Sequence, residues 1–184
     1  MPLISAKTTV PRRRAFEAAL QHLVQLGRVP AGLHVNPEPH PIYVLSSKDV
    51  IGDAYGTAAA RLVSWRYFAA DIWNTVVVGD VSNTNPPKVT GLRYGDTGKR
   101  ALNVKKKMEA LPELQAADYE PRILRVPGAL AEAFWLHSLS GSAGLVVPCQ
   151  HVFGSPCQEG QPYAIDHFLE TLRPLEKAPN SRAS

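Results

Sequence analysis

The sequence of 184 residues contains few cysteines and no long hydrophobic run. Two cysteines, Cys149 and Cys157, are too few for the dense disulfide framework of a small secreted domain. No apolar stretch approaches the length of about 20 residues that crosses a bilayer. The N-terminal residues also lack the continuous apolar segment of a signal peptide. We therefore expect a cytoplasmic protein that has no membrane partner.

Two common catalytic motifs are absent in their functional form. A phosphate-binding loop ending at residues 98–100 would need glycine in place of Arg93 and serine or threonine in place of Arg100. The segment SGSAG at 140–144 would need glycine in place of Ser140 to form a nucleophile elbow. The sequence therefore offers no catalytic signature whose residues are all in register.

The composition is that of an ordinary globular domain. Hydrophobic residues make up 45% of the chain and charged residues 20%, with a formal net charge of +4. A chain of this length can bury a core without disulfide or metal support. We expect a single globular domain over residues 1–173, followed by a flexible C-terminal tail at 174–184, which is polar and contains proline.

Hydrophobic periodicity predicts ten elements in the order α-β-α-β-β-α-β-α-β-α. The predicted helices are 12–26, 53–72, 95–111, 128–139 and 164–172. The predicted strands are 42–46, 74–81, 88–94, 121–126 and 145–148, the second and third of which should form a hairpin. This order predicts an α/β or α+β fold with a mixed sheet of about five strands and helices packed on it.

Two of the predicted helices depend on particular patterns. In the second, an apolar stripe at alternating four- and three-residue steps should face the core; it comprises Ala58, Leu62, Trp65, Ala69 and Ile72. In the fourth, Pro127 would occupy the first turn, where its missing N–H is tolerated.

The segment PCQHVFGSPCQEGQPYAIDH at 148–167 contains both cysteines and two histidines. Cys149, His151, Cys157 and His167 are residue types that bind zinc, but their spacing differs from that of standard zinc sites. The interpretation that we favour is a small buried Cys149 at a strand end, with His151 and His167 as half-exposed surface histidines, and so no cofactor. A zinc ion remains a minor alternative, and a disulfide would not persist in a reducing cytosol.

Aromatic and basic residues supply two candidate binding surfaces. Tyr67 and Trp135 lie off the main helical stripes, and an exposed aromatic next to Arg66 would suit a protein interface. Basic side chains repeat along one side of the third helix, where they could contact phosphates nonspecifically; they are Lys99, Arg100, Lys106 and Lys107.

Three functional hypotheses follow from these residues. The leading one is a non-catalytic protein that binds an unknown protein partner, with a homodimer as one form of that activity. The second is a hydrolase or transferase whose site combines several elements near Cys149 and His151. The third is a weak binder of polyanions through the Lys99–Lys107 helix, although no nucleic-acid motif is present and nucleic acid is not the expected partner.

Overall fold

The computed structural model describes residues 9–51, 57–115, 118–140 and 144–177. Within these ranges the protein is a mixed α/β structure built on one large sheet. No helix in the described ranges has both the length and the apolar character that a membrane crossing requires.

Four helices and nine strands make up the described fold. The helices are α1 Val10–Gln25, α2 Ser47–Ile51, α3 Asp96–Glu109 and α4 Ile165–Lys177, with short 3₁₀ turns at Thr57–Ala59 and Pro112–Gln115. The strands are β1 His34–Val35, β2 His40–Val44, β3 Arg61–Ala70, β4 Val76–Ser82, β5 Val89–Tyr94, β6 Tyr119–Val126, β7 Ala131–Ser138, β8 Leu145–Pro148 and β9 Tyr163–Ala164.

The strands form a single mixed sheet in the order β5-β4-β3-β2-β6-β7-β8-β9, and β1 pairs with β3. Only β2 and β6 pair in parallel within the described sheet, with Ile42 opposite Ile123. This parallel pair joins two antiparallel halves. The expected mixed α/β character is therefore confirmed, whereas the expected sheet of about five strands is too small.

One face of the sheet is covered by α1 over β3 and β4, and by α4 with α2 over the other half. The predicted apolar face of α1 is confirmed, because Phe16, Leu20 and Leu23 are buried. The Phe16 ring stacks on Tyr67 with ring centroids 5.4 Å apart. Gly79 permits this close packing, because a Cβ atom there would lie 2.4 Å from the Phe16 ring.

The other face is covered by α3, which contacts β4 and β5 in one half and β8 in the other. Its buried residues include Ala101, Val104 and Met108, as the periodicity predicts. They pack in one cluster with Ile42 and Phe134. Because α3 touches both halves of the sheet, it ties them together.

Two predicted helices are wrong, because residues 61–70 and 131–138 form β3 and β7. Both strands lie inside the sheet, with a neighbour on each side and buried residues on both faces. A strand buried on both faces has no apolar–polar alternation. The apolar residues of such a strand can also match the spacing of a helical stripe by chance. Only the pairing with neighbouring strands then decides whether the segment is a helix or a strand.

The other predicted elements are confirmed with small shifts in their ends. The hairpin joins β4 to β5, and α4 buries Ile165, Phe168, Leu169 and Leu172. This helix continues through Pro174 to Lys177. The single-domain boundary at 173 and the tail at 174–184 stay predictions, and residues 178–184 lie outside the described part, as does the predicted helix start at Asp53.

Candidate functional site

The connection between β3 and β4 is a tight turn that displays two large apolar side chains. Asp71 holds it by accepting hydrogen bonds at Oδ1 from the backbone N–H groups of Trp73 and Thr75, each at 2.8 Å. Asn74 adopts a positive φ of 61°, which asparagine tolerates better than most residues. We call residues Asp71 to Thr75 the hairpin tip.

Ile72 and Trp73 are 85% and 82% exposed. Burying two such side chains inside the protein would be favourable, yet the folded chain leaves them in solvent. The other two tryptophans, Trp65 and Trp135, are buried in the sheet. The hairpin tip therefore concentrates exposed apolar surface on a turn held by its own hydrogen bonds.

A shallow apolar groove of about 330 Å³ lies between α1 and the segment before β1. Leu20 and Val24 of α1 line one side, and Leu33 lines the other. His34, which follows Leu33, pairs with Ala70, which immediately precedes the hairpin tip. The groove and the tip are therefore at the same end of the sheet.

The most unusual polar feature is a charged cluster on the α3 face of the sheet. Arg66 is fully buried and lies between two carboxylates. Its Nε donates to Asp80 Oδ1 at 2.8 Å, and its Nη1 donates to Glu132 Oε1 at 2.6 Å. The cluster therefore connects β3, β4 and β7 through one guanidinium group.

Two further arginines complete the charged cluster, which we define as Arg66, Asp80, Arg93, Arg125 and Glu132. Arg93 and Arg125 both donate to Asp80 Oδ2, at 3.0 and 2.5 Å. Both also bond to Glu132, through Oε1 and Oε2. Their side chains are 31% and 27% exposed, so they form the solvent side of the cluster.

The electrostatics favour ionised carboxylates throughout the cluster. Burial opposes ionisation of Asp80 and Glu132, but the surrounding guanidinium groups outweigh it and hold both pKa values below their ordinary range. The carboxylates likewise raise the pKa of Arg66 despite its burial. Arg66, Asp80 and Glu132 are therefore all charged at neutral pH.

His40 lies beside this cluster, directly opposite Arg66 in the register of β2 and β3. It is buried edge-on between Phe68 and Phe134. Burial and the nearby Lys105 charge lower its pKa to about 3, although the backbone of Pro121 partly offsets these effects. His40 is therefore neutral, and neither of its ring nitrogens forms a hydrogen bond of normal geometry within the described structure.

The four residues predicted as zinc ligands are not brought together. Cys149 belongs to the core on the α3 face, whereas Cys157 belongs to the core on the α4 face. His151 and His167 are exposed. In the described part of the chain no three histidine, cysteine, aspartate or glutamate side chains form a group able to hold a metal ion.

Cys149 also lacks the environment of a reactive thiol. Burial, reinforced by the nearby Glu132 charge, raises the pKa of Cys149 to about 12. A nucleophilic cysteine needs a lowered pKa and some access to solvent. The hypothesis of an enzyme centred on Cys149 and His151 therefore gains no support from this geometry.

Tyr67 and Trp135 are core residues rather than an exposed binding surface, because they are 1% and 2% exposed. Both lie in central strands rather than on helices, and Trp135 packs under the Arg122 guanidinium at 5.0 Å. Trp73 is an exposed aromatic residue that sequence analysis missed. Its signal was the pair of turn-forming residues Asp71 and Asn74 around two apolar residues.

The predicted basic surface on α3 is exposed and partly concave. Lys99, Arg100 and Lys107 line a cavity of about 480 Å³, which also contains Asn103. Lys106 is exposed on the same helix. Asp96 and Glu159 line this cavity too and reduce its positive charge.

Comparisons of the chain with protein-family models, with curated protein sequences and with solved structures found no match. The fold and the side-chain geometry of this chain are therefore the basis for the proposals that follow.

Proposed function

We propose that the protein functions by protein–protein binding, and that the end of the sheet carrying the hairpin tip docks against a second copy of the chain. The observation that carries this proposal is the exposure of Ile72 and Trp73 on a turn held by Asp71. Tryptophan is one of the residue types enriched among the side chains that dominate binding energy in protein interfaces.

The hydrogen bonds of the hairpin tip support this proposal. Ordering a loop on binding reduces affinity, so a recognition loop that is already ordered binds more tightly. Asp71 fixes the backbone at Trp73 and at Thr75 before any partner arrives. The apolar side chains of the tip therefore need little reorganisation to enter an interface.

A second copy suits this end of the molecule because the tip and the apolar groove are close together in the fold. A twofold axis through this end would let the Trp73 side chain of each copy enter the groove between Leu20 and Leu33 of the other. Both contacts would then be equivalent, as a closed homodimer requires. This geometry also removes the exposed apolar surface from solvent.

Analytical ultracentrifugation over a range of protein concentrations tests the proposal. We expect a reversible monomer–dimer equilibrium whose dissociation constant rises about tenfold or more in Trp73→Ala. Asp71→Ala should weaken the dimer to a smaller extent, whereas Asp71→Asn, which retains an acceptor oxygen, should restore it. Acrylamide should quench Trp73 fluorescence less at high protein concentration, because the dimer covers this side chain.

Phe153→Ala is the matched control, because Phe153 is a similarly exposed aromatic residue, at 75%. It lies beyond β8, away from β3 and β4 in sequence, and should leave the dimer unchanged. A strictly monomeric protein at all concentrations would overturn the proposal. An equal effect of Phe153→Ala and Trp73→Ala would also contradict it.

A second candidate function, weak polyanion binding, is favoured by the cavity lined by Lys99, Arg100 and Lys107. Exposed cations on one helix attract polyanions in a salt-dependent manner. Retention on a heparin column should fall when Lys106 and Lys107 are both replaced by glutamate. Retention unchanged by this double substitution would exclude the α3 surface as the contact.

A further inference from the structure

We propose that the charged cluster is a binding site for a small oxyanion, a carboxylate or a phosphate, held on its solvent side by Arg93 and Arg125. This site is separate from the hairpin tip and from the basic cavity on α3. Its five side chains come one each from β3, β4, β5, β6 and β7. They are spread over residues 66 to 132 of the sequence.

Among the described residues, the ion pairs of the cluster leave an excess of one positive charge. Three arginines surround two carboxylates, and both carboxylates are ionised at neutral pH because their pKa values are lowered by the arginines. The remaining positive charge is partly removed from water, because the side chains of Arg93 and Arg125 are only 31% and 27% exposed. A partly buried charge is costly unless a counter-charge or hydrogen-bond partner accompanies it.

The oxygens of the two carboxylates already accept hydrogen bonds from arginine donors, and so they do not favour an additional cation as ligand. Asp80 Oδ2 accepts hydrogen bonds from three arginines, Arg66, Arg93 and Arg125. Each oxygen of Glu132 accepts bonds from Arg66 and from one of the two outer arginines. The carboxylates therefore hold the two outer arginines in place. The arginines in turn offset the negative charge that would repel a further anion.

The geometry leaves donors at the rim. Within the described residues, the bonds that Arg93 makes in the cluster use its two Nη atoms, and those of Arg125 use Nε and Nη2. Arg93 Nε and Arg125 Nη1 make no bond within the cluster, and we assign them as donors to the anion. Because both side chains converge on Asp80 Oδ2, their guanidinium groups are adjacent, an arrangement that suits the oxygens of one carboxylate or phosphate.

Two neighbouring residues on β5 leave space beside the cluster. Thr90 is anchored to the Asp80 carbonyl at 3.2 Å and keeps β5 close to the cluster. Gly91 pairs with Asp80, and a Cβ atom at that position would lie 4.0 Å from Asp80 Oδ2. The absence of a side chain at Gly91 thus leaves room above the carboxylate on the side of Arg93.

Isothermal titration calorimetry with inorganic phosphate and with acetate, at constant ionic strength, tests this site. We expect saturable binding of at least one of the two anions, with a stoichiometry of one per chain. Tighter binding of phosphate would assign a phosphate-bearing ligand, and tighter binding of acetate would assign a carboxylate. Arg125→Met and Arg93→Met should each weaken the binding about tenfold or more, because either leaves the cluster without excess positive charge.

Lys99→Met is the control, since it removes one positive charge from the α3 cavity and none from the cluster. It should leave anion binding unchanged. Arg93→Lys should retain part of the affinity, because it keeps the charge but not the planar fork. Far-ultraviolet circular dichroism should show that all variants are folded.

The proposal is overturned if neither anion binds saturably to the wild-type protein. It is equally overturned if Lys99→Met weakens binding while folded Arg93→Met and Arg125→Met do not, because the anion then binds at α3. Either outcome would leave the dimer proposal unaffected, because that proposal is tested separately with the Trp73 and Asp71 variants.

Discussion

Arg66 is a permanently charged residue in a fully buried position, and its surroundings explain how the fold tolerates it. Its Nε and both Nη atoms donate to Asp80 or Glu132. A buried ion pair is weak evidence of net stabilisation, but removal of one partner leaves charges without compensation. Loss of Arg66 should therefore lower the free energy of unfolding strongly, even though its intact ion pairs with Asp80 and Glu132 contribute little net stability.

We predict that Arg66→Met destabilises the protein by about 3 kcal/mol, because Asp80 and Glu132 lose their buried partner. Urea denaturation at neutral pH measures this change. Arg13→Met is the control, since the Arg13–Glu17 pair is on the surface of α1 and contributes at most about 0.5 kcal/mol. A value for Arg66→Met within the range of this control would show that the cluster is not structurally important.

A second prediction concerns the pH dependence caused by His40. Its pKa is about 3 in the folded protein, below the ordinary value of 6.5. Below pH 6.5 the unfolded chain binds a proton that the folded chain does not, so stability decreases as the pH falls. The expected decrease approaches about 1.4 kcal/mol per pH unit between pH 6 and pH 5.

His40→Phe should remove most of this slope, because phenylalanine can pack between Phe68 and Phe134 without a proton to bind. Urea denaturation between pH 7 and pH 5 measures the slope in a range where the carboxylates stay ionised. A smaller slope should remain, because burial and the Arg122 charge also lower the pKa of His137. Equal slopes for His40→Phe and wild type would contradict the assignment.

At the scale of the elements, the packing of α1 on the sheet depends on a glycine. Gly79 in β4 lies directly under Phe16, and the two would collide if a methyl group were added. Phe16 is also stacked on Tyr67 and fully buried, so it has little space in which to move. The position of α1 is therefore set by the smallest residue of the strand beneath it.

We predict that Gly79→Ala destabilises the protein by about 1–3 kcal/mol through overpacking of α1. The matched control is Gly91→Ala on the neighbouring strand, where the nearest atom would be 4.0 Å away. Thermal denaturation of the two variants gives the comparison. A Gly79→Ala protein as stable as Gly91→Ala would show that α1 is free to shift.

For the whole molecule, the parallel pairing of β2 with β6 joins two halves that could otherwise behave as separate units. Two features oppose separation. The α3 helix contacts β4, β5 and β8, and the charged cluster connects Arg66 of one half to Glu132 of the other. Both features cross the boundary between the halves, and so we expect the described fold to unfold as one cooperative unit.

Fluorotryptophan labelling followed by ¹⁹F NMR tests this cooperativity in a single protein. Trp65 reports on the half beneath α1, and Trp135 reports on the half beneath α4. The two resonances should lose their folded intensity at the same urea concentration. Two separate midpoints would show that the halves unfold independently.

Much of the fold could be predicted from residues near one another in sequence. The apolar spacing of Phe16, Leu20 and Leu23 predicts α1, because a helix repeats its face every three to four residues. The turn residues between β4 and β5 predict their hairpin for an equally local reason. The prediction was wrong for β3 and β7, since strands buried on both faces carry no periodic signal.

The sequence by itself determined the mixed α/β character, the helices α1, α3 and α4, and the basic surface of α3. Only the tertiary structure decided which side chains meet. Arg66, Asp80 and Glu132 are up to 66 residues apart in sequence, and Trp73 is exposed because β3 is a strand that ends in a turn. Long-range strand pairing brings such residues together or leaves them in solvent, and spacing along one chain does not encode that pairing.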